Sequence, residues 1–453
     1  MNYQAIRQLS AEIKVRATDL IALSPQNDPF YAGVAHREQA ARWFAALWER
    51  FGWGAGVHLR RAHYLLVSQD PPVKKVDGEP YGNTLNDWKA LVAASLAARY
   101  LRLIPTDALV DRRNPEPSIH AENETVAGTV PGVSVSFRYP TFEYDLPDDI
   151  DPSAQLYPPD LSIAGSKLPD GQPYLVELWV EKSTQNDILL PLANRFGVNL
   201  IVGVGEMSEV SARAAVERAI EANRPMRILY ISDLDPGGRS MPAALARKIE
   251  FILRDAGLDL DIQLEPIMLL PEQCQHYRLP RTPLKKKERR GPKFEARHGK
   301  GATELDALEA LYPGELGRIV EREVCRYIDP TLSRRCQGAY WDITRWLDGI
   351  TEEVHAPYAE QLAALTTRQS DTLTDLQAAM EAAREELKAL GEDARPLWQQ
   401  ISADLDAVMP EIDPEDVPSA KPANPHAEPL FDSRRGYLDQ LDHYRRWQGR
   451  GGA

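Results

Sequence analysis

Two aspartates at i and i+2, Asp233 and Asp235, stand between an apolar run and the pair Gly237-Gly238. A third carboxylate, Glu181, closes an earlier apolar run about 50 residues upstream. The run at 227–232 reads as a buried parallel strand, and so does the one at 175–180. Acidic groups at the carboxyl ends of two strands of an open α/β sheet sit where such sheets place their ligands. Three carboxylates in one place repel one another unless a hard cation, Mg²⁺ or Mn²⁺, holds them. The rival reading is a capping aspartate and a solvated turn, since Asp-Pro-Gly is ordinary turn chemistry. That reading accounts for neither Glu181 nor the two flanking strands.

The elements that must position these residues follow from periodicity. Expected strands at 174–180, 198–204, 227–232 and 261–269 alternate with expected helices at 184–195, 208–222 and 241–256. Strands alternating with helices of this length imply a parallel sheet. A basic stretch follows at 283–300. Its Lys285, Lys286, Lys287, Arg289 and Arg290 are the best candidates for a grip on a phosphate backbone. A solvated loop balancing the acidic remainder is the alternative. Thr303, three positions before Asp306, reads as the cap of a further helix.

Elsewhere the spacing predicts helices over 1–24, 36–51, 58–68 and 85–101. Several short helices in this span suit a small DNA-binding domain of winged-helix type. Residues 112–165 are rich in Pro, Asp and Ser and read as a connection, with a short strand pair at 133–137 and 141–144. The 350–408 segment is Ala/Leu/Glu-rich. It suggests a helical hairpin or coiled-coil arm with a seam of Leu362, Leu365, Leu373, Leu376, Met380 and Leu387. Helices packed on their own domain are the other reading. Residues 409–428 read as flexible, and an aromatic-rich last helix (Tyr437, Tyr444, Trp447) as a docking piece. The expected division is therefore 1–111, 112–165, 166–330, 331–408 and 409–453.

The totals bound the answer. A chain of 453 residues, 43% of them hydrophobic, has enough material for two or three cored domains. A net charge of −14 argues against a wholly basic nucleic-acid binder, while leaving room for local basic patches. Cys274, Cys325 and Cys336 form no C-x-x-C pair. They suit a reducing cytosol and support neither a zinc site nor a disulfide framework. The first ten residues lack the apolar core of a signal peptide. No run of 18 apolar residues is present, so a cytoplasmic protein with no membrane span is expected.

A strand ending in Glu181-Lys182, then about 50 residues, then a strand ending in Asp-Leu-Asp-Pro-Gly-Gly before a helix, resembles the Toprim domain of topoisomerases, primases and some nucleases. The resemblance implies an α/β fold with a Rossmann-like parallel sheet, here preceded by the helical domain and followed by the helical arm. It implies Glu181, Asp233 and Asp235 as metal ligands and catalytic residues, with Glu181 alternatively a general acid/base, and Lys182 as a phosphate contact. Two features resemble the topoisomerase VI A-subunit group in particular. One is the order of domains. The other is His58-Leu59-Arg60-Arg61-Ala62-His63-Tyr64, whose Arg60 and Tyr64 match the ends of that group's R-x-x-Y-Y motif. Tyr64 would then attack the phosphate, Arg60 and Arg61 would add to the DNA grip, and a homodimer would follow. The chain departs from the motif at His63, and Tyr64 also reads as a structural helix residue. A metal-bound water is the other candidate attacker.

The texts around Glu181, Asp233 and Thr-Glu-Leu-Asp-Ala-Leu at 303–308 are also similar to uncharacterised bacterial Toprim proteins. That similarity leaves Glu304 and Asp306 as extra acidic contacts or as helix-start carboxylates. The chain has no Walker-type phosphate loop, so ATP-driven strand passage would need a separate ATPase or other partner protein. Two other functions stay open: a non-catalytic nucleic-acid-binding module, and an RNA-directed Toprim enzyme. Primases of that type usually carry zinc-ligand clusters, which are absent here.

Overall fold

The computed structural model describes residues 2–110, 114–121, 126–136, 156–285, 288–376, 380–421 and 428–449, without the side chains of 375–385 and 387. Four helices lead: α1 (Tyr3–Glu12), α2 (Ala35–Arg50), α3 (Leu59–Val67) and α4 (Leu85–Tyr100). Two short strands follow, β1 (Val133–Ser136) and β2 (Asp160–Ile163). Next come β3 (Leu175–Val180), α5 (Asn186–Phe196), β4 (Asn199–Val202) and α6 (Glu209–Ala222). β5 (Met226–Ile231), α7 (Met241–Ala256) and β6 (Ile262–Met268) complete the alternation. Short helices α8 (Pro271–His276), α9 (Gly291–His298), α10 (Leu305–Leu311) and α11 (Glu315–Val324) precede three longer ones. These are α12 (Leu332–His355), α13 (Ala359–Leu376) and α14 (Met380–Val408). β7 (Phe431–Asp432) and α15 (Tyr437–Trp447) end the series.

The chain divides into two compact units. The first comprises Met1–Asn123, Pro173–Ile328 and Pro422–Ala453. Its sheet has the order β4-β3-β5-β6-β7, parallel except for β7, which runs antiparallel beside β6. The unit is thus mixed α/β with a mostly parallel sheet. Every residue of β3 and of β5 is buried, as strands covered on both faces must be. The pleat sends alternate residues to opposite layers. Trp179, Ile228 and Tyr230 pack with Phe251, Tyr437 and Tyr444 on one face. Leu178, Val180 and Leu229 pack with Phe196, Leu308 and Ile319 on the other. α5 and α7 each end on a glycine in the left-handed region, Gly197 and Gly257, which lets the chain turn back into the next strand.

In the same unit, α2, α3 and α4 enclose their own core of Phe44, Trp48, Leu66 and Leu91. The helix expected over 1–24 stops at Glu12, because Lys14 adopts a positive φ of 54° and a 3₁₀ turn takes over at Ala17–Leu20. Thr303 does not cap a helix. It bridges to Leu234, and α10 starts two residues later with the Asp233 carboxylate on its first N–H.

The second unit comprises Glu124–Gln172 and Asp329–Lys421. Residues read as a connection therefore supply part of a core. β1 pairs antiparallel with β2, and Leu161 and Ile163 are buried with Leu332, Ile343, Leu347, Ile401 and Leu405. The strand expected at 141–144 lies outside the described residues. α13 and α14 pack on each other as a hairpin. The buried stripe on α14 is Leu390, Ala394, Trp398, Ile401 and Leu405, at helical spacing. Of the expected seam, Leu362, Leu365 and Leu373 are half-buried, and the side chains of Leu376, Met380 and Leu387 lie outside the described residues. Ile412 and Val417, in the stretch expected to be flexible, are buried in this unit's core. Among the described residues no helix is long and apolar enough to cross a membrane.

Candidate functional site

β3 and β5 are neighbours in register from Leu175↔Met226 to Val180↔Ile231. Their carboxyl ends are therefore level, and the residues that follow emerge side by side. The Glu181 N–H donates to the Ile231 carbonyl at 3.1 Å, extending the ladder by one step. After β5 the chain turns sharply. Asp235 Oδ1 accepts the Gly238 N–H at 2.6 Å, and Ser232 Oγ donates to the Gly238 carbonyl at 3.1 Å. A Cβ on Gly238 would lie 2.0 Å from the Asp233 carbonyl oxygen, so no side chain fits there. The second glycine is thus required by the close return of the chain over Asp233.

Glu181 and Asp233 are buried and Asp235 is half-buried. Glu181 is 7% exposed, and its carboxyl is pushed up to about 7, first by burial and then by the charges of Asp233 and Asp235. Its Oε2 is buried without a hydrogen-bond partner. Asp233 is also raised by burial, although Lys182 and the Leu305 N–H oppose the shift. Asp233 Oδ1 accepts that N–H at 2.8 Å, and Oδ2 takes the Lys182 ammonium. Lys182 also reaches Glu304 at 3.1 Å. Asp306 accepts from Gln185 Nε2 at 2.7 Å. The acidic residues around the start of α10 therefore join the strand-end cluster. Glu304 does so by turning its carboxylate to Lys182, with no side-chain cap bond to the helix.

An all-oxygen donor set suits a hard cation. Glu181 offers an unpartnered oxygen. A carboxylate has about four lone-pair sites, so Asp233 and Asp235 retain acceptor capacity beside the bonds they make. The chemistry of the donors fits Mg²⁺ or Mn²⁺. The arrangement is not a ready-made cage: among the described residues no group of three or more His, Cys, Asp or Glu is gathered that could hold a metal ion. A lysine ammonium lies against Asp233 instead.

The remaining sequence candidates separate into two groups. Arg290 comes to the loop: its Nη1 donates to Ser240 Oγ at 2.6 Å, and Asp235 is among the charges acting on it. Lys285 and Arg289 are exposed, and Lys286 and Lys287 lie outside the described residues. Arg60, Arg61 and Tyr64 share the exposed side of α3, Tyr64 at 57% exposure. None of the described hydrogen bonds or ion pairs of Glu181, Asp233 and Asp235 comes from α3. His63, in the place of the first motif tyrosine, is buried and bonded to Tyr81 Oη at 2.7 Å and Asn83 Oδ1 at 3.2 Å. That is a packing role.

Sequence reading passed over Gln185, Arg239, Lys293 and Arg297. Lys293 and Arg297 stand four apart in the basic stretch and so share a face of α9, a signal that was available. Nothing in the local sequence marks Arg239, which meets Trp447 about 200 residues later. Compared with protein-family models and with curated proteins, the chain matches none.

Proposed function

We propose that this chain cleaves phosphodiester bonds of DNA at the ends of β3 and β5, as a metal-dependent nuclease or topoisomerase VI A-like enzyme of the Toprim type. One observation carries the reading: Glu181, Asp233 and Asp235 converge from two adjacent strand ends, with one Glu181 oxygen buried and unpartnered. Glu181, Asp233 and Asp235 would hold Mg²⁺ or Mn²⁺, which as a Lewis acid neutralises charge on a bound phosphate. Lys182 exchanges its carboxylate partners for a phosphate oxygen. Alternatively, with Asp233 and Asp235 alone as ligands, Glu181 takes or returns a proton at its free Oε2. Arg290, fixed beside the loop by Ser240, offers its guanidinium to an adjacent phosphate. In the topoisomerase-like form the exposed Tyr64 of one chain attacks at the site of a second copy, and a separate ATPase drives strand passage. In the nuclease form water attacks.

A second reading has its own support. Lys182 against Asp233 supplies the positive charge that a metal would bring, which suits a binding module without catalysis. Cleavage of supercoiled plasmid in Mg²⁺ or Mn²⁺, with and without protease, separates these. The wild-type chain is compared with Asp233→Asn and Tyr64→Phe. Cuts that need both residues and carry protein on their ends support the topoisomerase-like form. Cuts that need Asp233 alone support the nuclease. Absence of metal-dependent cuts, with DNA binding intact, supports the binding module. Competition by RNA tests the nucleic-acid class.

A further inference from the structure

A cleft of 1120 Å³ opens beside the Asp-Leu-Asp-Pro-Gly-Gly loop, with Pro236 and Ser240 on its wall. Six Arg and Lys side chains line it against a single carboxylate, Glu206, which is already paired with Lys248 at 2.8 Å. Arg290 is paired with Glu288, and Arg446 with Asp442. Among the described residues, Arg239, Arg289, Lys293 and Arg297 have no ion-pair partner. In a chain of net charge −14 this is a groove in which cations outnumber their carboxylate partners.

The interior of the groove is costly as it stands. Arg239 lies over the Trp447 ring, 3.3 Å from its centroid, and its Nε is buried without a hydrogen bond. Arg297 donates only to backbone carbonyls of Arg446 and Trp447. Burial and Arg297 hold Arg239 down to about 10. Burial, Arg239, Arg297 and Arg281 push His298 down to about 4, so the imidazole is neutral at pH 7. Clustered unpaired cations in a concave wall attract a polyanion.

We propose that this cleft holds a single nucleic-acid strand. Its phosphates lie on Arg289, Lys293 and Arg297, and its path leads past Ser240 to Asp233 and Asp235. The inference rests on the nucleic-acid reading above and adds which form of the polymer enters. Two features favour one strand. The cations form a row from Arg289 along α9 to Arg446, as a backbone needs, rather than a point. The size also fits: cavities for one drug-sized ligand run to about 1000 Å³, so this one admits a short length of one strand. Basic grooves edged with an aromatic side chain, here Trp447, are a common way to follow an unpaired backbone.

The test is fluorescence anisotropy with the full chain in EDTA, where no metal-dependent cleavage proceeds. The probes are fluorescein-labelled oligodeoxythymidylate and its duplex with oligodeoxyadenylate. Single-strand binding about 10-fold tighter than duplex is expected, falling with salt. The variant Arg289→Gln/Lys293→Gln/Arg297→Gln alters three exposed positions. It is expected to weaken single-strand binding at least about 10-fold and to lower the salt slope by about 2, or about 0.7 per lost contact. Thermal melting checks that the variant is folded. Duplex binding as tight as single-strand binding overturns the proposal. So does loss of binding on Arg60→Gln/Arg61→Gln with none on the triple variant. Cleft-dependent binding in a chain that never cleaves would sink the active-site reading and leave this one standing.

Discussion

The first unit contains two buried clusters of charge that are built on opposite terms. In one, Arg247 is fully buried and every charge is answered. Its Nε meets Asp28 at 3.1 Å, one Nη meets Glu250 at 2.9 Å, and the other meets Tyr437 Oη at 2.7 Å. Asp28 also accepts three backbone N–H groups, from Ala22, Leu23 and Phe30, and Tyr437 Oη donates to the Leu20 carbonyl. The knot ties the N-terminal turn, α7 and α15 together. In the other cluster Glu181 is almost as deeply buried, yet one of its oxygens has no partner, and burial with the like charges of Asp233 and Asp235 outweighs the help of Lys182 and the Asp233 N–H. Burial alone does not distinguish structure from function. Satisfaction does, because a fold has no reason to keep an unpaired buried carboxylate for stability.

Substitutions break or sharpen that contrast, and the largest effect belongs to the knot. Arg247→Met leaves Asp28 and Glu250 buried without their cation, and urea unfolding is expected to show a loss of about 3–5 kcal/mol. A loss below about 1 kcal/mol would mean that the two clusters do not differ in kind. Next is Asp233→Asn, which removes a carboxylate from the reacting centre. Metal-dependent plasmid cleavage is expected to fall by about 10²–10³, or about 2.7–4 kcal/mol of barrier, the usual range for one electrostatic contact. Chelation of the metal should reproduce that loss in the wild-type chain.

Glu181→Gln carries the sharpest sign. It removes a carboxylate whose ionisation burial and two like charges oppose, so stability is expected to rise by about 1–2 kcal/mol while cleavage falls. A lower melting temperature would contradict the functional reading of Glu181.

The smallest effect lies in the second unit, where Asp329 supplies the opposite case. Its carboxylate accepts from Thr331 Oγ1, the Thr331 and Lys421 N–H groups, and Arg335. Burial opposes ionisation, but these bonds outweigh it and hold the group down to about 2. A depressed carboxylate stabilises the fold above its unfolded value of 3.8 and loses that contribution as pH falls toward 2. After solvent screening this is about 1–2 kcal/mol, visible as an acid limb in thermal melts that Asp329→Asn should flatten.

Much of the site was legible locally. β3 and β5 announce themselves as apolar runs. The carboxylates that end them, and the glycine that passes over Asp233, stand at fixed offsets. Elements whose partners are distant were harder. Thr303 has the pattern of a cap, but its backbone is used by Leu234, and the helix takes its cap from Asp233, about 70 residues earlier. Residues 156–165, within the stretch that reads as a connection, look like linker because their few apolar positions, Leu161 and Ile163 among them, find a core only against α12 and α14. Lys182 was read as a phosphate contact. Its ion pair with Asp233 joins the two strand ends, and its pair with Glu304 depends on α10 folding back over them.

The sequence by itself determined the parallel strands, the helices between them, and the presence of Glu181, Asp233, Asp235 and Gly238 at their ends. Periodicity and turn chemistry are local, and they need no partner to be recognised. Only the tertiary structure decided that β3 and β5 lie side by side in register and that α10 brings Glu304 to Lys182. It also decided that Arg239 meets Trp447 in a basic cleft beside the loop. Those facts depend on loop closure and on the burial of distant apolar faces, and no short window of sequence contains both halves of such a contact.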